Sequence, residues 1–583
     1  MTAPTIAPAT ALVDRMRFRT AFQASPDGRT VTCLTAPYGE ERLALEVRRL
    51  PGGRWRLLSD DETAYTRAVP VAGDQIAVLR GAPGDYRLHL LSPAADRHVR
   101  TLDWTSAKLL AAPPRQVLAY AVVFDDALVR SHLFLVLPHE PWVSHVATVE
   151  GMLAGGFPLD AAGRRLGMTH LTGDTARPIA VDTLGGGVTP LPGASARARE
   201  HLLLASPVSG RLVLASDAPG HFGVACATPG GDVTFPAGLN AIDGTVAPIA
   251  IDPTGERLAL RVQQGATSRL LGYHVDTDRA ESLTTPVGII NREAVWNPAG
   301  LYVSVSTPTI PGELVRAGDP ATPRPTPWVP GRAVWLTGAG EPMEAVVYGD
   351  DWRHARHLLI ALHGGPEAHW RLEFEPQFQW FAQAGIAVVA PNQQGSTGYG
   401  EPYRARIDGA WGGADLDDVH ALARDLAEAR AGAGLPPPML YGASYGAFLA
   451  LLAAATAPEL FGRVAVVAPF LSGQRLHRQA SHPTRRLVAR LGGDHVHVDA
   501  LGPRDLGDLH RRLAVPLHII HGTGDQVVPV EQSRELVGLL RRAGRSDDLD
   551  YVEVPGGGHF PVGEPGGAAL ADAMIRFLLR DPA

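Results

Sequence analysis

The N-terminal half of the chain repeats a unit in which a short turn precedes a strand of alternating apolar and polar residues. The turn positions are Gly28, Gly73, Arg115, Gly163, Gly210, Gly255 and Gly300, and the intervals between them are 45, 42, 48, 47, 45 and 45 residues. A repeat of this length with several short strands is typical of a β-propeller, in which each repeat forms one four-stranded blade. Seven turn positions therefore predict seven blades. A series of unrelated β-hairpins would explain single turns but not the regular spacing.

The pattern changes after a proline-rich stretch at residues 317–329, which we interpret as a connector. Beyond it, continuous apolar runs alternate with amphipathic stretches. The runs predict buried parallel strands within residues 357–364, 386–392, 438–444, 463–470, 516–522 and 549–555. The amphipathic stretches predict helices at 413–431, 445–457, 531–543 and 567–580. This alternation predicts a doubly wound, mostly parallel α/β sheet.

Composition limits the class of protein. The chain has 583 residues, which is too long for one ordinary core and predicts at least two domains. A net charge of −7 gives no electrostatic reason to expect a nucleic-acid partner. Two cysteines, Cys33 and Cys226, predict neither a disulfide framework nor a metal site, and we expect no cofactor. The chain has no apolar stretch of about 20 residues and no recognisable secretory signal, so we expect no membrane association and a cytoplasmic location.

Candidate chemistry begins at Gly442-Ala443-Ser444-Tyr445-Gly446, which lies between a predicted strand and a predicted helix. A G-x-S-x-G segment in this position is a nucleophile elbow, in which a sharp turn presents the serine hydroxyl above the sheet. The short motif also occurs by chance, and its position between strand and helix makes it informative. It predicts an α/β-hydrolase domain with Ser444 as the nucleophile.

A serine hydroxyl needs a base, and in this fold the acid and then the histidine follow the serine along the chain. Asp525 follows the predicted strand at 516–522, and His559 follows the one at 549–555. Both lie where open α/β sheets gather catalytic groups. Each residue alone would pass for an ordinary turn residue. Their order and positions together predict that Asp525 orients His559, which acts as general base.

Acyl transfer also needs hydrogen-bond donors for the oxyanion. We expect one from the backbone N–H of Tyr445, directly after the nucleophile. His363-Gly364-Gly365-Pro366 follows an early strand, where the second donor belongs, and we assign that role to the Gly365 N–H. The same residues also form an ordinary Gly-Pro turn. His363 lies on the wrong strand for the triad, so we interpret it as structural.

At this point the sequence resembles the prolyl oligopeptidase family of serine peptidases, nearest its acylaminoacyl-peptidase-like branch. The matching segments, in family order, are HGGP at 363–366, PNQQGSTGYG at 391–400, WGGADLDDV at 411–419, GASYGAF at 442–448, HGTGDQVVPVEQS at 521–533 and GGGHF at 556–560. The seven-bladed propeller predicted in front of the hydrolase agrees independently with the architecture of this family. The resemblance implies hydrolysis of short peptides or acyl-peptides, with the propeller limiting access to an enclosed site. We accordingly divide the chain into an N-terminal segment at 1–20 that packs on the hydrolase, a propeller at 21–325 and a hydrolase at 326–583.

Two departures from the family concern the substrate pocket. The family usually has arginine where this chain has Gln394, and arginine or asparagine where it has Val527. Valine has no donor for a substrate carbonyl, so both residues are candidates for an altered pocket. The acidic run at 411–419 could suggest a metal site, but helix capping by Asp415 or Asp417 is the simpler interpretation.

Three functions follow from these features. The first is a peptidase that acts on small peptides or acyl-peptides. The second is an acyl-transfer enzyme, such as an esterase, amidase or cyclase of specialised metabolism, and Val527 favours it. The third is a noncatalytic propeller that binds a partner, which would predict an erased triad. The intact candidate triad favours the first two, and fold alone does not separate them.

Overall fold

Short antiparallel strands form the N-terminal part of the protein, as their alternating apolar and polar residues predict. The computed structural model describes residues 11–12, 16–71, 74–92, 95–113, 117–125, 127–228, 231–319, 326–349 and 351–580. Within them, six sheets follow one another from Arg17 to Arg316, and each strand pairs with its neighbours in sequence.

The strands of the six sheets have the following bounds. The first three sheets are β1 Arg17–Ala24, β2 Thr30–Pro37, β3 Leu43–Arg49 and β4 Arg56–Glu62; β5 Arg67–Pro70, β6 Ile76–Ala82, β7 Asp85–Ser92 and β8 Ala95–Leu102; and β9 Ser106–Ala111, β10 Ala119–Phe124, β11 Arg130–Val136 and β12 Val143–Glu150. The next two are β13 Met152–Pro158, β14 Arg165–Thr172, β15 Thr175–Asp182 and β16 Val188–Pro190; and β17 Glu200–Ala205, β18 Leu212–Ser216 and β19 Gly223–Ala227. Helix α1 (Ala237–Asn240) precedes the sixth sheet, β20 Thr245–Ile251, β21 Arg257–Gln264, β22 Thr267–His274, β23 Arg279–Asn297, β24 Gly300–Thr307 and β25 Ile310–Arg316.

Contacts between the first and last sheets close the N-terminal part into a ring. Arg19 of β1 donates to the Glu313 carboxylate of β25 at 2.9 Å. Arg48 of β3 donates to the Leu314 carbonyl at 2.9 Å. Between them, separate apolar clusters fill the spaces along the ring. The N-terminal part is therefore a β-propeller, as predicted.

The predicted number of blades is wrong, because the described residues form six sheets rather than seven. Strand β23 causes the difference, since it is one strand of 19 residues. Its first part pairs with β22 as far as Gly288, and from Ile289 onward it pairs with β24. The turn positions at Gly255 and Gly300 consequently belong to one six-stranded sheet. Two other turn positions, Gly73 and Arg115, lie outside the described residues.

The C-terminal part is an eight-stranded sheet in the order β26-β27-β29-β28-β30-β31-β34-β35. Strands from β28 onward in that order run parallel, as the continuous apolar runs predict. The strand bounds are β26 Gly331–Thr337, β27 Pro342–Tyr348, β28 His357–Leu362, β29 Ile386–Pro391, β30 Met439–Ala443, β31 Val464–Val467, β34 Leu517–Gly522 and β35 Leu549–Val554. A separate pair consists of β32 Val498–Asp499 and β33 Gly502–Pro503.

Helices cover both faces of this sheet and confirm the α/β-hydrolase arrangement. Their bounds are α2 Pro376–Gln383, α3 Glu401–Arg404, α4 Ala414–Gly432, α5 Tyr445–Thr456, α6 Gly473–Gln479, α7 His482–Arg490, α8 Leu506–Leu509, α9 Glu531–Arg542 and α10 Gly567–Leu578, with 3-10 turns at Ala405–Ile407, Pro458–Leu460, His510–Arg512 and Pro561–Gly563. One apolar cluster packs α4, α5 and α9 on the sheet, and a second packs α2 and α10 on the opposite face. No helix in the described ranges is long and apolar enough to cross a membrane.

Two residues near the N-terminus join the hydrolase core. Leu12 and Met16 are buried in the cluster that contains Tyr348 and Phe374. This contact supports the proposal that the N-terminal segment packs on the hydrolase, although residues 1–10 and 13–15 lie outside the described residues. The proposed boundary at 325–326 falls beside a stretch, 320–325, that also lies outside them.

Candidate active site

Ser444 occupies a sharp turn between β30 and α5. Its φ of 55° is left-handed, a conformation that residues with a side chain uncommonly adopt. The flanking glycines allow close backbone approaches. A Cβ on Gly446 would lie 2.2 Å from the Leu362 carbonyl oxygen, and one on Gly442 would lie 2.2 Å from the Gly446 carbonyl oxygen. The segment therefore has the geometry of a nucleophile elbow.

Asp525 and His559 meet beyond the ends of neighbouring parallel strands. Asp525 follows β34 and His559 follows β35, and His559 Nδ1 lies 2.6 Å from Asp525 Oδ2. The other carboxylate oxygen, Oδ1, accepts the backbone N–H groups of Val527 at 2.8 Å and Val528 at 2.9 Å. The carboxylate is thus fixed by the loop and available to orient the imidazole.

The electrostatics favour an ionised Asp525. Burial opposes the charge, but hydrogen bonds from His521 and His559 outweigh it and hold the pKa of Asp525 well below its usual range. His521 lies on β34, and its Nε2 is 3.3 Å from Asp525 Oδ2. A second histidine at the acid was not expected from the sequence, although its i, i+4 spacing to Asp525 was visible there.

The position of Ser444 relative to this pair follows from the sheet. Strands β30, β31, β34 and β35 are parallel neighbours, so Ser444, Asp525 and His559 all follow the carboxyl ends of strands at one edge. Across the described part of the chain, the Ser444 hydroxyl accepts or donates no hydrogen bond. The contact between Ser444 and His559 therefore stays a prediction.

The candidate oxyanion donors lie beside the elbow. A Cβ on Gly364 would lie 3.6 Å from Ser444 Cβ, so the segment at 363–366 lies against Ser444. Tyr445 is the first residue of α5, where a backbone N–H has no partner within the helix. Neither the Tyr445 nor the Gly365 N–H has a hydrogen-bond acceptor among the described residues. Both groups stay candidates for the oxyanion hole.

His363 is buried behind this segment. Its Nε2 contacts Ser396 Oγ at 2.8 Å, and its Nδ1 contacts the Gly364 carbonyl at 2.8 Å. Burial lowers the pKa of His363 to about 4. A neutral histidine with both ring nitrogens in contact supports the structural interpretation.

The two pocket candidates differ in their surroundings. The Gln394 side chain is buried, with Nε2 3.2 Å from Asp418 Oδ1 and Oε1 2.6 Å from an Arg406 guanidinium nitrogen. These internal contacts do not support a place for Gln394 in a substrate pocket, which stays only a prediction. Val527 is 38% exposed, and its backbone N–H donates to the candidate acid Asp525, so it stays a pocket candidate.

The predicted cap of α4 is wrong. The helix begins after Gly413, and no side chain among the described residues caps it. Asp415 instead lies inside the domain, where the Tyr445 hydroxyl donates to its Oδ2 at 2.5 Å. Burial is the main reason that the pKa of Asp415 is raised to about 7. Sequence reasoning missed this link between the acidic run and the residue after the nucleophile, since only tertiary structure joins them.

Comparison with known proteins agrees with this geometry. Residues 372–580 match the model of the prolyl oligopeptidase family. An uncharacterized peptidase of Bacillus subtilis is 27% identical over 223 residues, which are 35% of this chain and 30% of that protein. The dipeptidyl peptidase family member 6 of Caenorhabditis elegans is 27% identical over 214 residues, 35% of this chain and 28% of that protein. The chain thus matches less than a third of the length of these curated relatives.

Solved structures share the fold over nearly the whole chain. A puromycin-hydrolyzing peptidase of Mycobacterium tuberculosis has a TM-score of 0.69 at 19% identity, covering 99% of this chain and 96% of that one. The acylaminoacyl peptidase of Pyrococcus horikoshii has a TM-score of 0.72 at 13% identity, covering 98% and 97%. At these identities the likeness concerns the fold, a propeller joined to an α/β-hydrolase. Together with the elbow, these findings show a serine hydrolase in which residues 372–580 match the prolyl oligopeptidase family.

Proposed function

We propose that this chain is a serine peptidase that acts through an acyl-enzyme on small peptides or acyl-peptides. The hydrogen bond of 2.6 Å between His559 Nδ1 and Asp525 Oδ2, at the sheet edge where the Ser444 elbow also lies, is the observation that carries the proposal. Relatives named as dipeptidyl and acylaminoacyl peptidases support the substrate class. The partner is accordingly a small substrate rather than a nucleic acid or a membrane.

The residues divide the chemistry as follows. His559 Nε2 takes the hydroxyl proton while Ser444 Oγ attacks the substrate carbonyl carbon. The backbone N–H groups of Tyr445 and Gly365 stabilise the oxyanion. His559 then gives the proton to the leaving group, and the ester on Ser444 is hydrolysed by a water that His559 activates. Asp525 stays ionised and stabilises the imidazolium that forms in both steps.

A second candidate is an acyl-transfer enzyme of specialised metabolism, such as an esterase or amidase that transfers the acyl group to water, or a cyclase that transfers it to a nucleophile of the substrate itself. The exposed Val527 favours it, because an apolar wall suits hydrocarbon bulk near the scissile bond and offers no donor to a peptide carbonyl. Both functions use the same acyl-enzyme. A noncatalytic binding module is the least supported function, since the candidate acid and base are in contact.

Covalent labelling with a fluorophosphonate tests the proposal. We expect the wild-type protein to be labelled, and Ser444→Ala to lose the label and to lower kcat by roughly 10³–10⁶-fold. Ser546→Ala, which alters an exposed serine between α9 and β35, serves as the matched control and should keep the label and the wild-type kcat. Near wild-type turnover by Ser444→Ala would mean that the nucleophile is misassigned. Matched peptide, acyl-peptide and ester substrates then separate the two candidate functions.

A further inference from the structure

Arg261 of β21 is a cation that forms no ion pair with the residues that the structure describes. Its Nε is buried and has no hydrogen-bond partner, and its guanidinium makes no ion pair with any residue that the structure describes. Burial lowers the pKa of Arg261, and the positive charges of Arg292 and Arg371 lower it further. A desolvated guanidinium next to two others is costly unless an anion compensates it.

Arg371 ties this cluster to the catalytic edge of the hydrolase sheet. The preceding residue, Trp370, donates its indole N–H to the Ala361 carbonyl of β28 at 2.8 Å. Asn392 directly follows β29. Its Oδ1 accepts the Trp370 backbone N–H at 2.6 Å, and its Nδ2 donates to the Trp370 carbonyl at 2.9 Å. Both strands run parallel to β30, so Arg371 follows the same strand ends as Ser444.

The same segment contacts the sixth propeller sheet. The Leu372 N–H donates to the Ala266 carbonyl, in the turn between β21 and β22, at 2.7 Å. A Cβ on Gly288 of β23 would lie 3.1 Å from the Leu372 carbonyl oxygen. Strands β21 and β23, which carry Arg261 and Arg292, therefore converge on the hydrolase segment that carries Arg371.

A bulge in β23 sets Arg292 apart from the regular strand. The pairing with β24 passes from Ile290 opposite Val305 to Ala294 opposite Val303, so three residues face one. Bulges of this kind redirect side chains and are frequent near binding sites. Arg292 is exposed and has no hydrogen bond or ion pair within the described ranges.

Nearby carboxylates do not neutralise the three arginines. Arg371 pairs with Glu373 at 2.7 Å, on a partly exposed surface. Glu293 lies close enough to raise the pKa of Arg261, yet in the part of the chain that the structure describes it forms no ion pair. Within the described ranges, the three arginines thus form one ion pair, between Arg371 and Glu373.

We propose that Arg261, Arg292 and Arg371 form a subsite for a carboxylate group of the substrate, on the propeller side of the active site. This inference rests on the proposed function. Guanidinium groups bind carboxylates through paired, charge-assisted hydrogen bonds, which replace the missing counter-ion. The carboxylate belongs to the C-terminus of a short peptide or to an acidic side chain. Such a subsite gives the enzyme a polar anchor that Val527 does not provide.

Protection of Ser444 from a fluorophosphonate tests the subsite without knowledge of the natural substrate. The probes are N-acetylleucine, its amide, and N-acetylglutamic acid α-amide, whose only carboxylate is on the side chain. We expect an acid to protect at a concentration at least about 10-fold below that of N-acetylleucinamide, the size of one charge-assisted hydrogen bond. Protection by N-acetylleucine indicates the C-terminal group, and protection by the glutamic acid derivative indicates the side chain.

Arg261→Gln should abolish the stronger protection by the acid. In Arg261→Lys the acid should still protect at a lower concentration than the amide. Arg257→Gln is the matched control, because Arg257 lies on the same strand and pairs with Asp252 instead. A circular dichroism spectrum and an unfolding temperature that match the wild type show that each variant is folded. Equal protection by acid and amide, no protection by either acid, or an advantage retained in Arg261→Gln would overturn the subsite.

Failure of the proposed function has a different signature. If Ser444 is not an activated nucleophile, the wild-type protein would not be labelled at all, with or without a probe. Calorimetric titration of N-acetylleucine and of the glutamic acid derivative into the wild-type protein and Arg261→Gln then tests the subsite alone. Binding of an acid that depends on Arg261 would support it, and equal or absent binding in the two proteins would contradict it.

Discussion

Asp525 shows how one side chain is prepared for its role by contacts of different kinds. Its Oδ1 is held by two backbone N–H groups of its own loop, and its Oδ2 faces His559 at 2.6 Å and His521 at 3.3 Å. The backbone contacts fix the position of the carboxylate, and the histidines favour its charge. The candidate general base therefore meets an acceptor that is both immobile and ionised.

Replacement of the carboxylate tests this role at the residue scale. Asp525→Asn keeps the shape but presents an amide to His559, which favours the wrong imidazole tautomer. By analogy with the Ser-His-Asp template, we expect kcat to fall on the order of 10⁴-fold and labelling of Ser444 to slow in parallel. Both are measured on protein whose circular dichroism matches the wild type.

His521 and His363 provide the comparison for that experiment. His521 also contacts Asp525, and His363 lies behind the candidate oxyanion segment. If His559 is the base, its replacement by glutamine must cost more activity than replacement of either other histidine. Full activity of Asp525→Asn, or an indispensable His521 with a dispensable His559, would reassign the acid or the base.

At the scale of elements, α4 and α5 are linked through a buried carboxyl group. The Tyr445 hydroxyl, on the first residue of α5, donates to Asp415 near the start of α4. Because burial raises the pKa of Asp415 from 3.8 to about 7, the folded protein binds this proton more tightly than the unfolded chain does. The contribution of Asp415 to stability is therefore greatest at acid pH and declines as the pH rises from about 4 to about 7.

Asp415→Asn removes this titration and keeps an oxygen that can accept from Tyr445. When the pH rises from 5 to 8, the free energy of unfolding should fall less in the variant than in the wild type. The difference should be up to a few kcal/mol, at about 1.4 kcal/mol for each pKa unit. The measurement is the unfolding temperature of both proteins at the two pH values. Burial also raises the pKa of Glu375 to about 8. Because Glu375 is present in both proteins, its contribution to the pH dependence drops out of the difference between them. Asp417→Asn, on an exposed position of the same turn, is the control; an equal effect of the two substitutions would contradict the prediction.

The elements also show what the sequence could predict. Strands and helices around the elbow agree within a few residues, since a continuous apolar run or an amphipathic period identifies each of them locally. The number of propeller sheets was not predictable in this way. The turn at Gly300 has the local signature of a new repeat, and only the pairing of β23 on both sides joins it to the sheet before.

The candidate site likewise contains residues that the sequence predicts and contacts that it does not. Ser444, Asp525 and His559 carry motif and order information, so sequence predicts them, and the structure joins the last two. The contacts of Asp415 with Tyr445 and of Gln394 with Asp418 join segments 24 or more positions apart in the chain, which no local pattern records. In the described part of the chain, the buried Nε of Arg261 has no hydrogen-bond partner, and this too is visible only after folding.

At the scale of the whole molecule, the propeller and the hydrolase meet at two separate places. Near the first sheet, Gln377 of α2 donates to the Tyr38 hydroxyl at 3.0 Å, and the rings of Phe18 and Phe374 pack edge to face at 5.5 Å. Near the sixth sheet, the Ala266 N–H donates to the Glu344 carboxylate at 2.7 Å. Contacts on both sides hold the hydrolase against one face of the propeller.

This arrangement predicts selection of substrates by size. If the propeller limits access to Ser444, kcat/KM should fall steeply as a peptide substrate is lengthened, and casein should not be cleaved.

Tyr38→Ala removes the bond to Gln377 and the ring contact with Trp380, at 5.5 Å between centroids, without touching the candidate triad. A loosened contact should raise kcat/KM for long peptides relative to short ones while kcat for the shortest substrate stays unchanged. Tyr38→Phe, which keeps the ring and loses only the hydroxyl, separates the two contributions. Rapid digestion of casein by the wild-type enzyme would show that the site is open, and the propeller would then need another role than gating.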